Sequence, residues 1–282
     1  MTAFRETGWA KINLALHVRG RRADGYHDIE TLFAFVDDGD GIEAEFADAD
    51  SLSIDGDFAE GLTAGDDNLV RRVLALLRMR YGADRVPPLA ITLTKRLPVA
   101  AGIGGGSADA AAMARLVRRH FLPELGDAQL ARLVAPLGAD IAACVASATC
   151  LGLGTGDELS ALPELRLSGT PALLVNPRQP VATGPVFAAW DGIDRGPLFT
   201  GADLRAQLFA GRNDLQRAAI AQCSAIVDVL TELGALRPWL ARMSGSGATC
   251  FALFDAPAER DAAAAHLAQG RPDWWQMAGA LR

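Results

Sequence analysis

Residues 89–121, which read LAITLTKRLPVAAGIGGGSADAAAMARLVRRHF, decide the fold. Apolar and polar residues alternate over residues 89–95, which predicts a β-strand that ends before Pro98. From residue 108 to residue 121 the composition is typical of a helix, with many alanines and a basic last turn. The stretch therefore predicts a strand, a glycine-rich loop and a helix, in that order.

The loop has the composition of a phosphate-binding turn. It contains Gly102, Gly104, Gly105 and Gly106, followed by Ser107. Glycine lets backbone N–H groups approach an anion, and the start of a helix adds partial positive charge. No Gly-Lys-Ser/Thr follows, and Ser107 stands where a dinucleotide-binding loop has its third glycine. An anion site is favoured, with a flexible turn as the alternative.

Composition describes a folded globular chain of 282 residues, large enough for two modest domains. Half of the residues are hydrophobic, which is enough to form a sizeable core. The net charge of −7 disfavours binding to nucleic acid or to an anionic membrane. A phosphate-bearing ligand must therefore be held by a local site.

No membrane span, secretory signal or disulfide framework is predicted. The longest uncharged stretch, residues 141–156, is interrupted by glycines and is too short to cross a bilayer. Charged residues precede any apolar run at the N-terminus. The four cysteines form no CxxC pair and have no histidine at metal-ligand spacing. We expect buried, reduced thiols in a cytoplasmic protein, with no protein metal ligands.

Lysine is scarce in this chain. Lys11 and Lys95 are its only lysines, and the other 25 of the 27 basic residues are arginines. A compact ammonium has different uses from a planar guanidinium, so both lysines are candidates for specific roles. On composition alone, the alternative that two lysines remain by chance has equal weight.

Periodicity predicts further elements in the first half. Strands are expected at residues 8–18 and 29–36, and a helix at residues 66–81 with Asp66 and Asp67 as capping candidates. A helix should start at Asp127 and close at Gly138, and Asp140 can begin a short helix over residues 141–145. Glycines and prolines near residue 160 favour a domain boundary there, giving domains 1–160 and 161–282.

The second half predicts alternating strands and helices. Strands are expected at residues 172–175, 249–254 and 275–281, and helices at 214–233 and 257–268. The order favours an α+β fold.

Three motifs in order resemble those of the small-molecule kinases named for galactose, homoserine, mevalonate and phosphomevalonate. They are residues 11–14 (KINL), 98–107 (PVAAGIGGGS) and 244–247 (SGSG). Residues 10–14 and 22–27 (RADGYH) most resemble one family within that superfamily, whose substrate is a diphosphocytidyl-methylerythritol. The resemblance covers essentially the whole chain. It implies two α+β domains, the first with a left-handed βαβ unit and the second ferredoxin-like.

The resemblance also implies transfer of the γ-phosphoryl group of ATP, with Mg²⁺, to the 2-hydroxyl of that substrate. Asp140 is implied as the base and Lys11 as the residue that stabilises charge. From the residues alone, a helix N-cap is the favoured role of Asp140, and Lys11 would be a solvated strand residue. Spacing in sequence does not pair them.

Binding residues are implied by matching motif positions. The ATP side would comprise Asn68, Lys95, Pro98, Val99, Ala100, Ala101, Gly102, Ile103, Gly104, Gly105, Gly106, Ser107 and Ala108. The substrate side would comprise Asn13, Tyr26, His27, Asp140, Thr183, Phe187, Ser244, Gly245, Ser246 and Gly247. Tyr26 and Phe187 could stack on a cytosine, with His27 at its polar edge. Ordinary core, cap and turn roles are the alternatives.

Two departures from the family pattern leave the reacting groups in place. Ala108 replaces a common second serine, so a hydroxyl contact to phosphate or Mg²⁺ falls to Ser107. Residues 141–143 (IAA) replace a Val-Pro-Phe-like segment after Asp140.

The expected partner is a small cytidine diphosphate substrate, with no nucleic acid and no membrane, and the expected state is a monomer or weak homodimer. A kinase for another alcohol and a non-catalytic nucleotide-binding protein are the alternatives. The basic turn at Arg19, Arg21 and Arg22 is interpreted as a solvated loop.

Overall fold

The computed structural model describes residues 3–199 and 203–282. Its contacts divide the chain into two compact units. Unit 1 comprises residues 1–10, 38–97 and 104–147, and unit 2 comprises residues 11–37, 98–103 and 148–282. These units interleave along the sequence, so they are a different division from the boundary expected near residue 160, which stays a prediction.

The fold is a mixed α+β fold with two sheets, as expected. In the described ranges the strands are β1 (Phe4–Arg21), β2 (His27–Phe46), β3 (Ser51–Asp55), β4 (Leu89–Thr94), β5 (Cys150–Leu153), β6 (Glu158–Ala161), β7 (Pro171–Asn176), β8 (Leu240–Met243), β9 (Cys250–Leu253) and β10 (Trp275–Ala280). The α-helices are α1 (Leu69–Tyr81), α2 (Gly105–Phe121), α3 (Asp127–Val134), α4 (Ile141–Ala146), α5 (Thr183–Ala188), α6 (Leu204–Ala210), α7 (Gln216–Gln222), α8 (Ala225–Ala235) and α9 (Pro257–Gly270). Short 3-10 helices cover Ala135–Leu137 and Pro163–Leu165.

Unit 1 contains a βαβ arrangement. β3 pairs in parallel with β4, and β4 pairs antiparallel with the second half of β2. α1 connects β3 to β4, as a parallel pair requires a crossover connection. The left hand expected for this crossover stays a prediction.

Helix α2 is the centre of unit 1. Its residues from Ala108 to Val117 are all buried, and it packs against α1, α3 and α4. Alanines dominate this segment, and their small side chains let the neighbouring elements approach closely. On β1, a Cβ added to Gly8 would lie 3.1 Å from the backbone of Ala108, so Gly8 permits the close approach of strand and helix.

Two predicted helix starts in unit 1 were wrong. α1 begins at Leu69, and Asn68 rather than Asp66 or Asp67 is its N-cap, because Asn68 Oδ1 accepts a hydrogen bond from Val70 N at 2.9 Å. α2 begins at Gly105, three residues before the predicted start. The helical composition starts only at Ala108, because glycine has a low helix propensity.

Unit 2 has the expected ferredoxin-like sheet. The strand order is β10-β7-β9-β8, with each neighbouring pair antiparallel. Helices connect β7 to β8 and β9 to β10, which gives the βαββαβ pattern. The central strands β7 and β9 are buried along their whole length.

Several predicted elements in unit 2 were wrong or missed. The expected helix over residues 214–233 is two helices, α7 and α8, because Cys223 leaves the helical conformation at φ −141° and ψ 91°. The glycine cluster at residues 152–156 lies in the hairpin of β5 and β6 rather than in a loose connection. β8 was missed because Arg242 interrupts its short apolar run.

Two further expectations concern the state of the cysteines and the presence of a membrane-spanning helix. All four cysteines are free and buried, which confirms the prediction. Across residues 3–199 and 203–282, no helix combines the length and the apolarity needed to cross a bilayer.

Candidate functional site

Three sequence segments that are far apart in the chain meet in unit 2. Lys11 N donates to Ile103 O at 3.1 Å, and Asn13 N donates to Ser244 Oγ at 3.0 Å. Ser244 Oγ in turn donates to Gly102 O at 2.8 Å. The first motif, the start of the glycine-rich loop and the third motif are therefore joined by direct hydrogen bonds.

Glycines are required where these segments cross. Gly102 has φ 74° and Gly245 has φ 54°, both in the region that favours glycine. A Cβ on Gly102 would lie 2.4 Å from Ser244 O, and one on Gly245 would lie 2.7 Å from Gly102 O. The glycines of the third motif thus have a structural purpose, which the sequence left open.

Further backbone bonds fix the first part of the loop. Val181 N donates to Ala100 O at 3.0 Å, and Thr249 N donates to Ala101 O at 3.1 Å. Pro98 precedes this segment, and Val99 is an exposed apolar residue at 44% exposure. The loop is a well-supported backbone segment here, which argues against a merely flexible turn.

Lys11 and Asn13 are buried on β1. Lys11 Nζ donates to Asn13 Oδ1 at 2.8 Å and lies 5.3 Å from the centre of the Phe33 ring. Asn13 Nδ2 donates to Thr31 Oγ1 at 2.7 Å, and Thr31 donates to Ala15 O. Lys11 is 4% exposed, so its interpretation as a solvated strand residue was wrong.

An aromatic cluster lies near the expected cytosine pocket. The rings of His27 and Phe187 are 5.2 Å apart between centroids, and those of His27 and Trp190 are 5.7 Å apart. Burial, followed by the nearby Arg21 guanidinium, lowers the pKa of His27. A neutral imidazole has one donor and one acceptor nitrogen, which suits the polar edge of a base.

Tyr26 lies on the surface, at 64% exposure. A depression of about 310 Å³ adjoins the aromatic cluster, lined by Arg19, Gly20, Arg21, Trp190, Asp191 and Gly192. The stacking of Tyr26 and Phe187 on a cytosine stays a prediction.

Thr183 and Ser246 are brought together as substrate-side candidates. Their hydroxyl oxygens are 2.9 Å apart at the start of α5. Ser246 is buried at 4% exposure, and Thr183 is the first residue of the helix that carries Phe187. This contact links the third motif to the helix that carries the aromatic candidate.

In unit 1, the glycines after residue 103 form the start of α2. Gly104 occupies the N-cap position at φ 66° without a side-chain cap. Ala108 N donates to Gly104 O at 2.8 Å, so the helix closes its first turn around Gly105, Gly106 and Ser107. The N–H groups of that first turn have no acceptor within the helix and are the ones that a phosphate would use.

Asp140 lies at the N-cap position of α4, but its side chain makes no capping hydrogen bond there. The prediction that Asp140 begins this short helix is confirmed by its position. The segment before it contacts the start of α2, since a Cβ on Gly138 would lie 4.0 Å from Ser107 Oγ. Unit 1 thus brings the candidate base segment close to the end of the glycine-rich loop.

Arg115 ties α2 to the other end of α4. Its guanidinium donates to Cys144 O at 2.5 Å and to Ser147 Oγ at 3.1 Å. It also donates to Thr7 O and lies 3.6 Å from the Glu6 carboxylate. Arg115 is a supporting residue that the sequence did not single out, because one arginine among 25 gives no signal.

Asn68 and Lys95 have structural contacts as well as their expected place on the ATP side. Asn68 caps α1, and its Nδ2 donates to Thr63 O at 3.0 Å. Lys95 Nζ contacts the carboxylates of Asp40 and Asp109. Lys95 follows the end of β4 and is only 3% exposed.

The basic turn is largely paired. Arg19 bonds to Asp194 and Glu30, and Arg22 bonds to Asp24 and Asp28. Arg21 donates to Ala188 O at 3.2 Å and lies beside His27.

Asn213 is another supporting residue that the sequence did not reveal. Its Nδ2 donates to Met243 O and to Gly245 O, both at 2.8 Å. Its Oδ1 accepts from Leu215 N at 3.0 Å. The side chain thereby holds the backbone of the third motif, and no spacing pattern marked it in advance.

Comparisons with known proteins agree with this architecture. The profile described as "GHMP kinases N terminal domain" matches residues 68–148, and "GHMP kinases C terminal" matches residues 201–271. A solved homoserine kinase from Cytophaga hutchinsonii superposes with a TM-score of 0.73 at 14% identity, covering 100% of this chain and 95% of that one. That likeness concerns the fold.

The chain belongs to the GHMP kinases and, within them, to the family of the relatives described next. It is an ATP-dependent kinase of small molecules. A protein of Sphingopyxis alaskensis named 4-diphosphocytidyl-2-C-methyl-D-erythritol kinase is 79% identical over 99% of this chain and 98% of its own length. One of the same name from Novosphingobium aromaticivorans is 55% identical, covering 99% and 93%. A crystal structure of 4-(cytidine 5'-diphospho)-2C-methyl-D-erythritol kinase superposes with a TM-score of 0.81 at 31% identity, covering 98% of both chains.

Proposed function

We propose that this chain transfers the γ-phosphoryl group of ATP to the 2-hydroxyl of 4-diphosphocytidyl-2-C-methyl-D-erythritol, in the non-mevalonate route to isoprenoid precursors. The observation that carries the proposal is the meeting of three motifs in unit 2, where Ser244 Oγ bonds to both Asn13 N and Gly102 O. The 79% identity to a relative with that name supports the choice of substrate.

Asp140 is proposed as the general base for the substrate hydroxyl. It stands at the N-cap position of α4, in the segment whose Gly138 contacts the start of α2. A base must be held in a fixed place, and both ends of α4 are supported by α2 through Gly138 and Arg115. These contacts fix the position of the Asp140 backbone within unit 1.

Lys11 is proposed to stabilise the charge that develops as the phosphoryl group moves. Asn13 Oδ1 and the Phe33 ring orient its ammonium without carrying a full negative charge themselves. A preoriented cation needs little reorganisation during the reaction, which is the source of its catalytic effect.

The triphosphate is proposed to bind the glycine-rich loop, residues 98–108. The first turn of α2 offers the N–H groups of Gly105, Gly106 and Ser107 to phosphate oxygens. Asn68 and Lys95 are proposed to belong to the same nucleotide side. Gly106 lies close to the start of α1, since a Cβ there would be 3.8 Å from Leu69.

Mg²⁺ is proposed to enter with ATP. Among the described residues, no group of three or more histidine, cysteine, aspartate or glutamate side chains could hold a metal ion. Mg²⁺ commonly keeps several waters and binds through substrate phosphates with one or two protein ligands, so the residues present fit it. Ser107 would supply its hydroxyl, and the ion would neutralise phosphate charge.

On the substrate side, the cytidine is proposed to bind near His27, Phe187 and Tyr26. The other proposed substrate-side residues are Thr183, Ser244, Gly245, Ser246, Gly247 and Asn13. They are linked to this cluster because Thr183 begins the helix that carries Phe187 and contacts Ser246. The neutral form of His27 favours recognition of a base by hydrogen bonds over attraction of the diphosphate.

A substrate comparison tests the proposal. ATP-dependent phosphorylation is measured with 4-diphosphocytidyl-2-C-methyl-D-erythritol, galactose, homoserine and mevalonate as acceptors. We expect turnover of the cytidine compound alone. Turnover of another alcohol at an equal or higher kcat/KM would replace the substrate assignment.

Asp140→Ala provides the mechanistic arm of that experiment. Loss of a general base should lower kcat by at least ~10²-fold. Asp127→Ala is the matched control, since Asp127 is an exposed aspartate in the first turn of α3 and pairs with Arg118. Equal kcat in Asp140→Ala and the wild type would refute the role of Asp140.

A further inference from the structure

Lys95, Asp40 and Asp109 form a buried ionic cluster in unit 1. Lys95 follows β4, Asp40 lies on β2, and Asp109 lies in α2. Lys95 Nζ contacts Asp40 Oδ2 and donates to Asp109 Oδ2 at 2.7 Å. The three residues are 3%, 0% and 4% exposed.

The cluster fixes both ends of the glycine-rich loop. Asp40 Oδ1 accepts from Arg96 N at 2.6 Å and from Leu97 N at 2.9 Å, which are the last two residues before the loop. Asp109 belongs to the second turn of α2, the helix that the loop enters. One ammonium thus joins the chain before the loop to the helix after it.

The ammonium also lies against the first turn of α2. A Cβ added to Gly105 would be 3.5 Å from Lys95 Nζ and 3.8 Å from Asp40 Oδ2. Displacement of the cluster would therefore move the backbone N–H groups that the proposed function assigns to phosphate.

A lysine suits this position better than an arginine. Its compact ammonium can donate to both carboxylates under the helix, whereas a guanidinium is larger and planar. This requirement accounts for one of the two lysines in a chain that otherwise uses arginine.

The electrostatics of the cluster favour a charged Lys95 and disfavour a charged Asp109. Burial lowers the pKa of Lys95, but Asp109 and Asp40 raise it, and the net change is upward. Burial raises the pKa of Asp109 well above its usual value, and Asp40 adds to that effect. Asp109 Oδ1 has no hydrogen-bond partner, which further disfavours its charged form.

We propose that Lys95 is a positioning residue for nucleotide binding. It sets the spacing between the end of β4 and the start of α2, and so holds the loop in the shape that receives the triphosphate. Lys95 acts through the loop backbone instead of contacting the adenine. The inference rests on the proposed role of the loop in binding ATP.

Lys95→Arg tests the inference, with Arg78→Lys as the matched control. Arg78 is also in unit 1, in the last turn of α1. It pairs with Asp50 and donates to Val86 O and Pro87 O. Both variants keep the charge and exchange the two kinds of cation. The Kd for ATP and for inorganic tripolyphosphate is measured by calorimetry, together with kcat at saturating ATP.

We expect Lys95→Arg to raise both Kd values by the same factor, about 10-fold, which corresponds to about 1.4 kcal/mol. The kcat at saturating ATP should change less than about 2-fold, because the reacting groups are untouched. Arg78→Lys should leave both Kd values unchanged. Asp109→Asn, a milder variant that keeps the Lys95–Asp40 pair, should raise both Kd values in the same direction by a smaller factor.

Three results would overturn the inference. The first is unchanged Kd values in Lys95→Arg and Asp109→Asn. The second is a higher Kd for ATP without a higher Kd for tripolyphosphate. The third is an equal increase of the Kd values in Arg78→Lys. The second result would mean that Lys95 contacts the base directly. These measurements need no acceptor substrate, so a failure of the substrate assignment would leave their outcome readable.

Discussion

Lys11 and Lys95 are buried to a similar degree, but their ammonium groups have different partners. Lys95 contacts two carboxylates in unit 1, whereas Lys11 in unit 2 donates to an amide oxygen and lies over an aromatic ring. The carboxylates of Asp40 and Asp109 hold the Lys95 ammonium in place, and the amide and the ring orient the Lys11 ammonium. Burial of a lysine therefore does not by itself reveal which groups its ammonium contacts.

The largest expected effect comes from the Lys95 cluster. Asp40→Ala should lower the free energy of unfolding by about 3–5 kcal/mol, because it leaves Lys95 and two backbone N–H groups without the carboxylate that they share. Denaturant unfolding followed by circular dichroism measures the change.

The adjacent Asp38 provides a control for that prediction. Its ion pair with Arg96 is exposed, so Asp38→Ala should cost less than about 1 kcal/mol. Equal losses in the two variants would contradict the interpretation of the Lys95 cluster as a structural centre.

A smaller effect is expected at Lys11. Lys11→Met should lower kcat by about 10²-fold, or 2.7 kcal/mol, because it removes the cation proposed to stabilise the developing charge. Steady-state kinetics at saturating ATP and substrate measure this loss. If Lys11→Met instead raised the Kd for tripolyphosphate and left kcat intact, the contrast between the two lysines would break down.

The smallest expected effect is on the pH dependence of stability, which should have opposite signs in the two units. His17 in unit 2 accepts from Arg212 N through Nε2, and its Nδ1 bonds to Gly196 O. Burial, with the Arg212 guanidinium, lowers the pKa of His17. Its contribution is therefore complete above the unfolded pKa of about 6.5 and is lost as the pH falls toward the lower native pKa.

Asp109 in unit 1 acts in the opposite direction. Its pKa is raised, so its contribution is present below the unfolded value of about 3.9 and is lost as the pH rises through the native pKa. Unfolding free energies between pH 4 and pH 7 should thus fall less steeply with acid in His17→Gln, and more steeply in Asp109→Asn, than in the wild type. Changes of the same sign in both variants would contradict this assignment.

Local sequence patterns predicted most of the regular elements. Strict alternation located β4, continuous apolar runs located β7 and β9, and an alanine-rich composition located α9. The same patterns missed β8, because Arg242 interrupts its apolar run, and the break at Cys223, because a single extended residue leaves no pattern to detect. The family resemblance supplied the ferredoxin-like order of the second sheet.

The sequence by itself determined that the chain has a glycine-rich loop before a helix, two unusual lysines and three ordered kinase motifs. Only the tertiary structure decided what those lysines contact, because Asp40 and Asp109 are 55 and 14 residues away from Lys95. It likewise showed that Ser244 bonds to Asn13 and to Gly102 across 231 and 142 residues. A local sequence pattern predicts which face of a helix or strand is buried. The electrostatic partners of a buried group depend instead on how elements that are distant in the sequence pack together.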